Sequence, residues 1–320
     1  MTADVTVLLT CTGRRYDIVS AFAAHCRVVS ADASPLAPAQ YAAQVQARVP
    51  RVDDPRYVPT LADLCAEHDV TAVVPLSDLD IEILARAREE AGLPAFVPPP
   101  SVAEATYDKY LTHRLLTDAG LPSPPTVLPG EEPDRYPVMI KPRRGSASRS
   151  IFRCDTPDEV EFFVRYVREP VMVQRALDGA EFSMDCLSDL DGTCLNAIAR
   201  TMLGSNGGEA VKGTTIADPE LVDLARAVVE TLGIRGPCTV QCFRDPELGL
   251  RVTDVNARFG GGFPAPWYAA PTGRTYPELI VRMAAGERVE PHVGEYRPGV
   301  TFTRYPWHLE LDEQLRPTGR

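Results

Sequence analysis

Residues Cys238–Gly262, CTVQCFRDPELGLRVTDVNARFGGG, read as a β-hairpin. Side chains alternate across a strand, so Asp254 and Asn256 project to one side, with Leu250 and Val252 preceding them there. The turn from Asp245 to Gly249 reverses the chain, and a near-symmetric antiparallel register sets Gln241 opposite Asp254. Three oxygen-bearing side chains then lie within reach of one cation, and oxygen ligands suit Mg²⁺ rather than zinc. Asp and Asn also populate solvated strand faces, so on the hairpin alone a plain surface hairpin stays open.

The 320-residue chain is 44% hydrophobic and 24% charged, which is ordinary for a globular protein of two or three compact units. A formal charge of −11 argues against general binding of nucleic acid or an anionic membrane. Eight cysteines stand at positions 11, 26, 65, 154, 186, 194, 238 and 242, without CxxC pairs or a Cys/His ligand pattern, as expected of reduced structural thiols. The start, MTADVTVLLTCTGRR, lacks the basic opening and long apolar run of a signal peptide, and no segment approaches a membrane span. A cytoplasmic protein is expected.

The first hundred residues alternate apolar runs (VTVLL, VVSAD, VTAVVPL) with helical patterns near Tyr16–His25 and Leu61–His68, which predicts parallel βα units. The turn TGRR lacks GxGxxG, so a nicotinamide-dependent oxidoreductase is disfavoured. Ser77, Asp78 and Asp80 follow the third run; an N-cap with acidic first-turn residues is the default reading, and docking of an ammonium group the alternative. The prolines of PAFVPPPS close this unit. Ser101 and Glu104 suggest a capping box, and Asp108 caps a helix over Lys109–Ala119 that Gly120 ends. Strands are expected at PVMIKP, IFRC and PVMVQRAL, with a helix announced by Thr156, Pro157 and Glu159. AEFSMDCL and TCLNAIARTML form a further hairpin around SDLDG. A helix over Pro219–Leu232, capped by Asp218 and ended by Gly233, leads into the metal hairpin.

Positive groups gather where a polyphosphate would need them: Lys109 in a first helical turn, Lys141 ending a strand, and Arg143, Arg144 and Arg149 around the loop RRGSASRS. The five histidines are isolated, and no Ser/His/Asp or Cys/His arrangement stands out. Taken in order, YDKYLTHRLLTDAGLPSPPT, VMIKPRRGSASRSI, VQRALDGAEFSMD, GGEAVKGTTI and VQCF with VTDVNARFGGGFP resemble the ATP-grasp superfamily, in particular its carbamoyl-phosphate-synthase-like stand-alone carboxylate-amine ligases.

The resemblance covers most of the chain and implies α/β and α+β architecture. Residues 1–100 would be a Rossmann-like pre-ATP-grasp domain, 101–176 the small lid subdomain, and 177–320 the large antiparallel-sheet subdomain with the metal site. It also implies that Lys109 and Lys141 contact ATP phosphates, and that Arg143, Ser146, Ser148 and Arg149 belong to a loop closing over them. Gln174, Arg175, Ala176 and Leu177 would form the adenine hinge, and Glu181 would hold the ribose. Gln241, Asp254 and Asn256 would ligate one or two Mg²⁺ ions, with Mn²⁺ as a substitute. Arg258 would stabilise the transferring phosphate, with Lys212 and Glu209 at the reacting centre. The implied reaction activates a small carboxylate as an acyl phosphate for attack by an amine. Dimers are common among the proteins it resembles. Three departures stand out: Asp254 where Glu is usual, Ala257 where proline is common, and Arg175 where an acidic hinge residue is frequent. A bicarbonate-dependent carboxylase or carbamoyl-phosphate-type enzyme, or a non-catalytic nucleotide-binding regulator, would use the same fold.

Overall fold

A computed structural model describes residues 5–145, 150–206, 209–260, 273–305 and 307–318. The first unit holds β1 (Thr6–Thr10), α1 (Tyr16–Ala23), β2 (Arg27–Asp32), β3 (Val45–Arg48), α2 (Tyr57–Glu67), β4 (Val70–Pro75) and α3 (Ile81–Ala91). Its strands form a parallel sheet in the order β3-β2-β1-β4, as the alternation of apolar runs and helices predicts. Both sheet faces are covered, so the runs are apolar throughout. Leu8, Val29 and Val73 pack with Leu61 of α2 and Leu84 of α3, while Val7, Leu9 and Val74 pack with Ile18 and Phe22 of α1. In the tight turn after β1 the Gly13 amide donates to Asp32 Oδ2 at 2.7 Å.

Two helices follow, α4 (Pro100–Tyr107) and α5 (Lys109–Asp118). The capping box expected at Ser101 does not form. Proline takes the first helical position, where its missing N–H costs nothing, and this puts Ser101 inside the first turn. Asp108 caps α5 as read, accepting from the Tyr110 and Leu111 amides. The lid comprises β5 (Thr126–Val127), β6 (Val138–Pro142), β7 (Phe152–Cys154), α6 (Pro157–Tyr166) and β8 (Val171–Arg175), with sheet order β5-β8-β6-β7. Thr156 caps α6 through the Glu159 amide. The lid has a core of its own, Val138, Ile140, Cys154, Val167, Val171 and Val173.

The large antiparallel sheet, in the order β10-β9-β13-β14, is built from β9 (Ala180–Ser188), β10 (Cys194–Thr201), β13 (Gly236–Asp245) and β14 (Gly249–Asn256). Between them run β11 (Gly204–Asn206), β12 (Glu209–Thr214) and α7 (Pro219–Thr231), which is capped by Asp218 as predicted. α8 (Tyr276–Ala284) and β15 (Thr301–Thr303) follow, with β15 pairing to β12. Met184, Cys186, Val240, Cys242 and Val252 bury one face of the large sheet against Leu221, Ala225 and Val228 of α7, within the same cluster that holds Leu8 and Leu84 of the first unit. The second cluster likewise joins Leu279 and Ile280 of α8 to α1. The first unit and the large sheet therefore share their cores, and only the lid has a private one.

The hairpin pairs Gln241 with Asp254, as the sequence predicts, and Thr239 with Asn256. One expectation is corrected. A β-bulge at Thr253 opposes two residues of β14 to one of β13, and an inserted residue reverses the alternation. Leu250 and Val252 therefore join Val255 and Ala257 in the core instead of sharing the face of Asp254 and Asn256.

Candidate active site

On the face of the large sheet opposite α7, polar residues form rows across the strands. One row runs Arg200, Ser183, Gln241, Asp254; the next runs Asp185, Thr239, Asn256, with the apolar Ile198 at its β10 end. The Arg200 Nε donates to Asp185 Oδ2 at 2.6 Å, and both side chains are buried. Thr239 Oγ1 donates to Asp185 Oδ1 at 3.1 Å. Gly260 lies over this pair so closely that a Cβ there would sit 2.9 Å from Asp185 Oδ1. The Ser183 hydroxyl is buried without a hydrogen-bond partner among the described residues.

The lid supplies the facing wall. Val138, Ile140, Val171 and Val173 point into the lid core, so Met139, Lys141, Met172 and Gln174 occupy the other face. Lys141 Nζ donates to Gln174 Oε1 at 2.8 Å, and Gln174 Nε2 donates to Thr126 Oγ1 at 3.0 Å. Burial pushes the Lys141 ammonium down to about 8; Lys109 adds to this, while Asp254 and Glu181 oppose it. Burial also raises the Glu181 carboxyl, with Lys141 and Arg200 opposing and Asp254 adding. Lys141 of β6 thus lies within electrostatic reach of Lys109 of α5, Glu181 of β9 and Asp254 of β14, and Glu181 within reach of Asp254.

The other basic residues are engaged differently. Arg143 makes a two-point ion pair with the buried carboxylate of Asp108, at 3.0 Å through Nε and 2.7 Å through Nη2. Arg144 Nε is 3.8 Å from the same carboxylate. Lys109 is stitched to the end of β6, its amide donating to Arg143 O and its Nζ to Gly145 O, both at 2.8 Å. Arg175 points away from the cleft, to Glu247 at 2.6 Å and Asp134 at 3.2 Å. The Ala176 amide donates to Pro137 O at 3.0 Å, whereas the half-buried Leu177 makes no backbone hydrogen bond to another described residue. Lys212 is exposed on β12, and no hydrogen bond or ion pair joins it to this cluster among the described residues. Glu209 opens β12, but its side chain, like Ser146, Ser148, Arg149, Gly261 and Gly262, lies outside the described residues.

Arg258 Nη2 donates to Asp78 Oδ2 at 2.6 Å and to Asn256 Oδ1 at 3.1 Å, and its Nη1 donates to Phe259 O at 3.0 Å. The default reading of the Ser77–Asp80 segment as a simple cap is corrected accordingly. Asp80 takes the N-cap position of α3 but makes no side-chain cap; its buried carboxylate accepts from Tyr57 Oη at 2.7 Å. Asp78 is left to reach across to Arg258. Among the described residues no three His, Cys, Asp or Glu side chains gather as a metal site. One carboxylate and two amides on a shared strand face nonetheless suit a hard cation that fills its remaining positions with phosphate oxygens.

Sequence reading missed Met139 and Met172, which share the lid face of Lys141 and Gln174, although the alternation in VMIK and VMVQ carries them. It also missed the Asp185–Arg200 pair, whose partners stand fifteen positions apart on separate strands with no local signal.

Residues 7–95 match the family described as the PylC-like N-terminal domain, and residues 167–305 match ATP-grasp in the biosynthetic pathway with Ter operon. The carbamoyl phosphate synthase large chain of Rhodopirellula baltica is 23% identical over 262 residues, covering 73% of this chain and 23% of its own length. The D-alanine–D-alanine ligase of Frankia casuarinae is 28% identical over 229 residues, covering 61% of this chain and 59% of its own. This chain thus spans less than two thirds of either relative. The crystal structure of an L-amino acid ligase from Bacillus licheniformis superposes with a TM-score of 0.72 at 20% identity, covering 93% of this chain and 79% of that one. The N5-carboxyaminoimidazole ribonucleotide synthetase of Thermotoga maritima gives 0.67 at 15% identity, covering 90% and 77%.

Proposed function

We propose, from the premise that this chain belongs to the ATP-grasp superfamily, that it is an ATP-dependent ligase joining a small carboxylate to an amine. The observation that carries this reading is the meeting of Lys109, Lys141, Glu181 and Asp254 between lid and large sheet, with Gln241 paired to Asp254. Two cations, a carboxylate set for a ribose and a hard-oxygen face are what a nucleoside triphosphate requires.

ATP would set its adenine beside Met139 on the lid face of Lys141 and Gln174, where the Leu177 amide can donate to a ring nitrogen and Glu181 can accept from the ribose hydroxyls. Lys109 and Lys141 neutralise the phosphates. Gln241, Asp254 and Asn256 would hold Mg²⁺, which supplies charge neutralisation at the phosphates and orients them. A substrate carboxylate oxygen attacks the γ-phosphorus, the bond to the β-phosphate oxygen breaks, and ADP leaves. Arg258 lies beside Asn256, where the negative charge on the transferring group develops. The amine then attacks the acyl carbon, expelling phosphate and losing one proton. Positioning and charge neutralisation are the main demands of such a transfer, and no side-chain nucleophile is needed.

The test is incubation with ATP, Mg²⁺ and pooled amino acids and carboxylic acids, following ADP, AMP and phosphate. ADP and phosphate released only when both organic substrates are present support the ligase. AMP release refutes the acyl-phosphate route. Release that needs bicarbonate as the sole acid moves the assignment to the carboxylase or carbamoyl-phosphate type, and bound but unhydrolysed ATP to the regulator.

A further inference from the structure

The segment that follows the metal strand is gripped by the first unit. Arg15, in the turn after β1, donates through Nη1 to Gly260 O at 2.8 Å, and Phe259 packs edge-on against Phe22 at 6.2 Å. Asp78, in the turn after β4, takes Arg258 Nη2 at 2.6 Å. The same Nη2 donates to Asn256 Oδ1, the only oxygen through which that amide can ligate a cation, and Asp254 also acts on the guanidinium charge. Arg258 therefore stands where it competes directly with a metal ion for Asn256 and lies within the field of Asp254. A divalent cation on Asn256 would bring like charges together in a half-buried site, where such repulsion is weakly screened.

We propose that Asp78 is a positioning residue of the metal site: it shares the Arg258 Nη2 with Asn256 and gives the guanidinium an acceptor to keep when a divalent cation takes Asn256 Oδ1. Without the Asp78 carboxylate, the acceptors left to Arg258 beside the Phe259 carbonyl are the metal ligands themselves, and the arginine then occupies the cation's place. The first unit, through one turn, thereby sets the metal affinity of the large sheet. This inference rests on the metal assignment made above.

It is tested without any organic substrate, by titrating Mn²⁺ in the presence of ADP and reading free Mn²⁺ by electron paramagnetic resonance. Asp78→Asn should weaken Mn²⁺ binding on the order of tenfold, the scale on which residues that orient metal ligands act. Asp78→Glu should stay near the native value. Adding Arg258→Met to Asp78→Asn should restore binding to that of Arg258→Met alone, since the competitor is gone. Thermal melting of each variant separates this from misfolding, and Asp78→Glu keeps the test alive if Asp78→Asn is unstable. Unchanged affinity in Asp78→Asn, or a loss that persists without Arg258, overturns the role of Asp78 while leaving the metal site standing. Mn²⁺ binding indifferent to Asp254→Ala overturns both.

Discussion

Lys141 shows how one residue trades stability against binding. Its ammonium is part-buried and faces a second lysine, with the Asp254 and Glu181 carboxylates within reach. A lysine depressed from 10.5 to about 8 binds fewer protons folded than unfolded. Its cost is present in full below pH 8 and disappears as the pH rises towards 10.5. Lys141→Met should therefore stabilise the nucleotide-free protein at pH 7 by up to about 3 kcal/mol, the size of such a shift. The gain should fade between pH 8 and 10.5 in thermal melts, and ATP binding should be lost. A variant that melts lower at pH 7 would contradict the burial of that charge. For the native protein, ATP affinity measured by calorimetry should fall as the pH rises through about 8 and the ammonium is lost. The Asp185–Arg200 pair follows the opposite logic. Asp185→Ala takes a buried ion pair from Arg200 and an acceptor from Thr239, so it should destabilise by about 3–5 kcal/mol in denaturant titration.

Helix α5 and strand β6 place Lys109 and Lys141, and Asp108 couples the two elements. Its carboxylate caps the helix and also receives Arg143 from the end of the strand. Asp108→Ala should accordingly cost about 2–3 kcal/mol, more than the ~1 kcal/mol of an ordinary cap, because a guanidinium loses its partner too. It should also weaken ATP binding by separating Lys109 from Lys141. Calorimetry giving native ATP affinity in this variant would show the lysines to be placed independently. The cap itself was legible in the sequence, as were the caps at Thr156 and Asp218, because capping is a local pattern within four residues. The Gln241–Asp254 pairing was legible for a related reason, since a short turn fixes the register near it. The bulge at Thr253 was not legible: a strand that must bury Leu250 and Val252 before it and Val255 after it while still presenting Asp254 needs one extra residue, and nothing local marks which. Ser101 failed as a cap because the proline beside it started the helix one position earlier. Arg143 and Asp78 were read as facing ligands or helix ends, whereas their partners lie thirty-five and one hundred and eighty positions away.

Across the whole molecule, the distribution of cores decides which part moves. The first unit and the large sheet share two apolar clusters, so they act as one platform, while the lid has six buried apolar residues of its own. The lid is joined to the platform near Arg175, which bridges the end of β8 to Glu247 in the metal hairpin's turn, with Arg135 on the same carboxylate at 2.8 Å. Arg175 thus serves as a strut between lid and hairpin, which explains a basic residue where a nucleotide contact was expected. A small private core opens at lower free energy than one continuous with the rest of the protein. Hydrogen exchange in the free protein should accordingly be faster in β6 and β8 than in β9 and β13, and MgADP should slow the lid strands selectively. Arg175→Met should speed lid exchange further without changing β9, because it removes the strut and leaves the shared clusters intact. Equal exchange in lid and platform would mean that the lid is locked to the large sheet, and nucleotide would then have to enter a closed cleft.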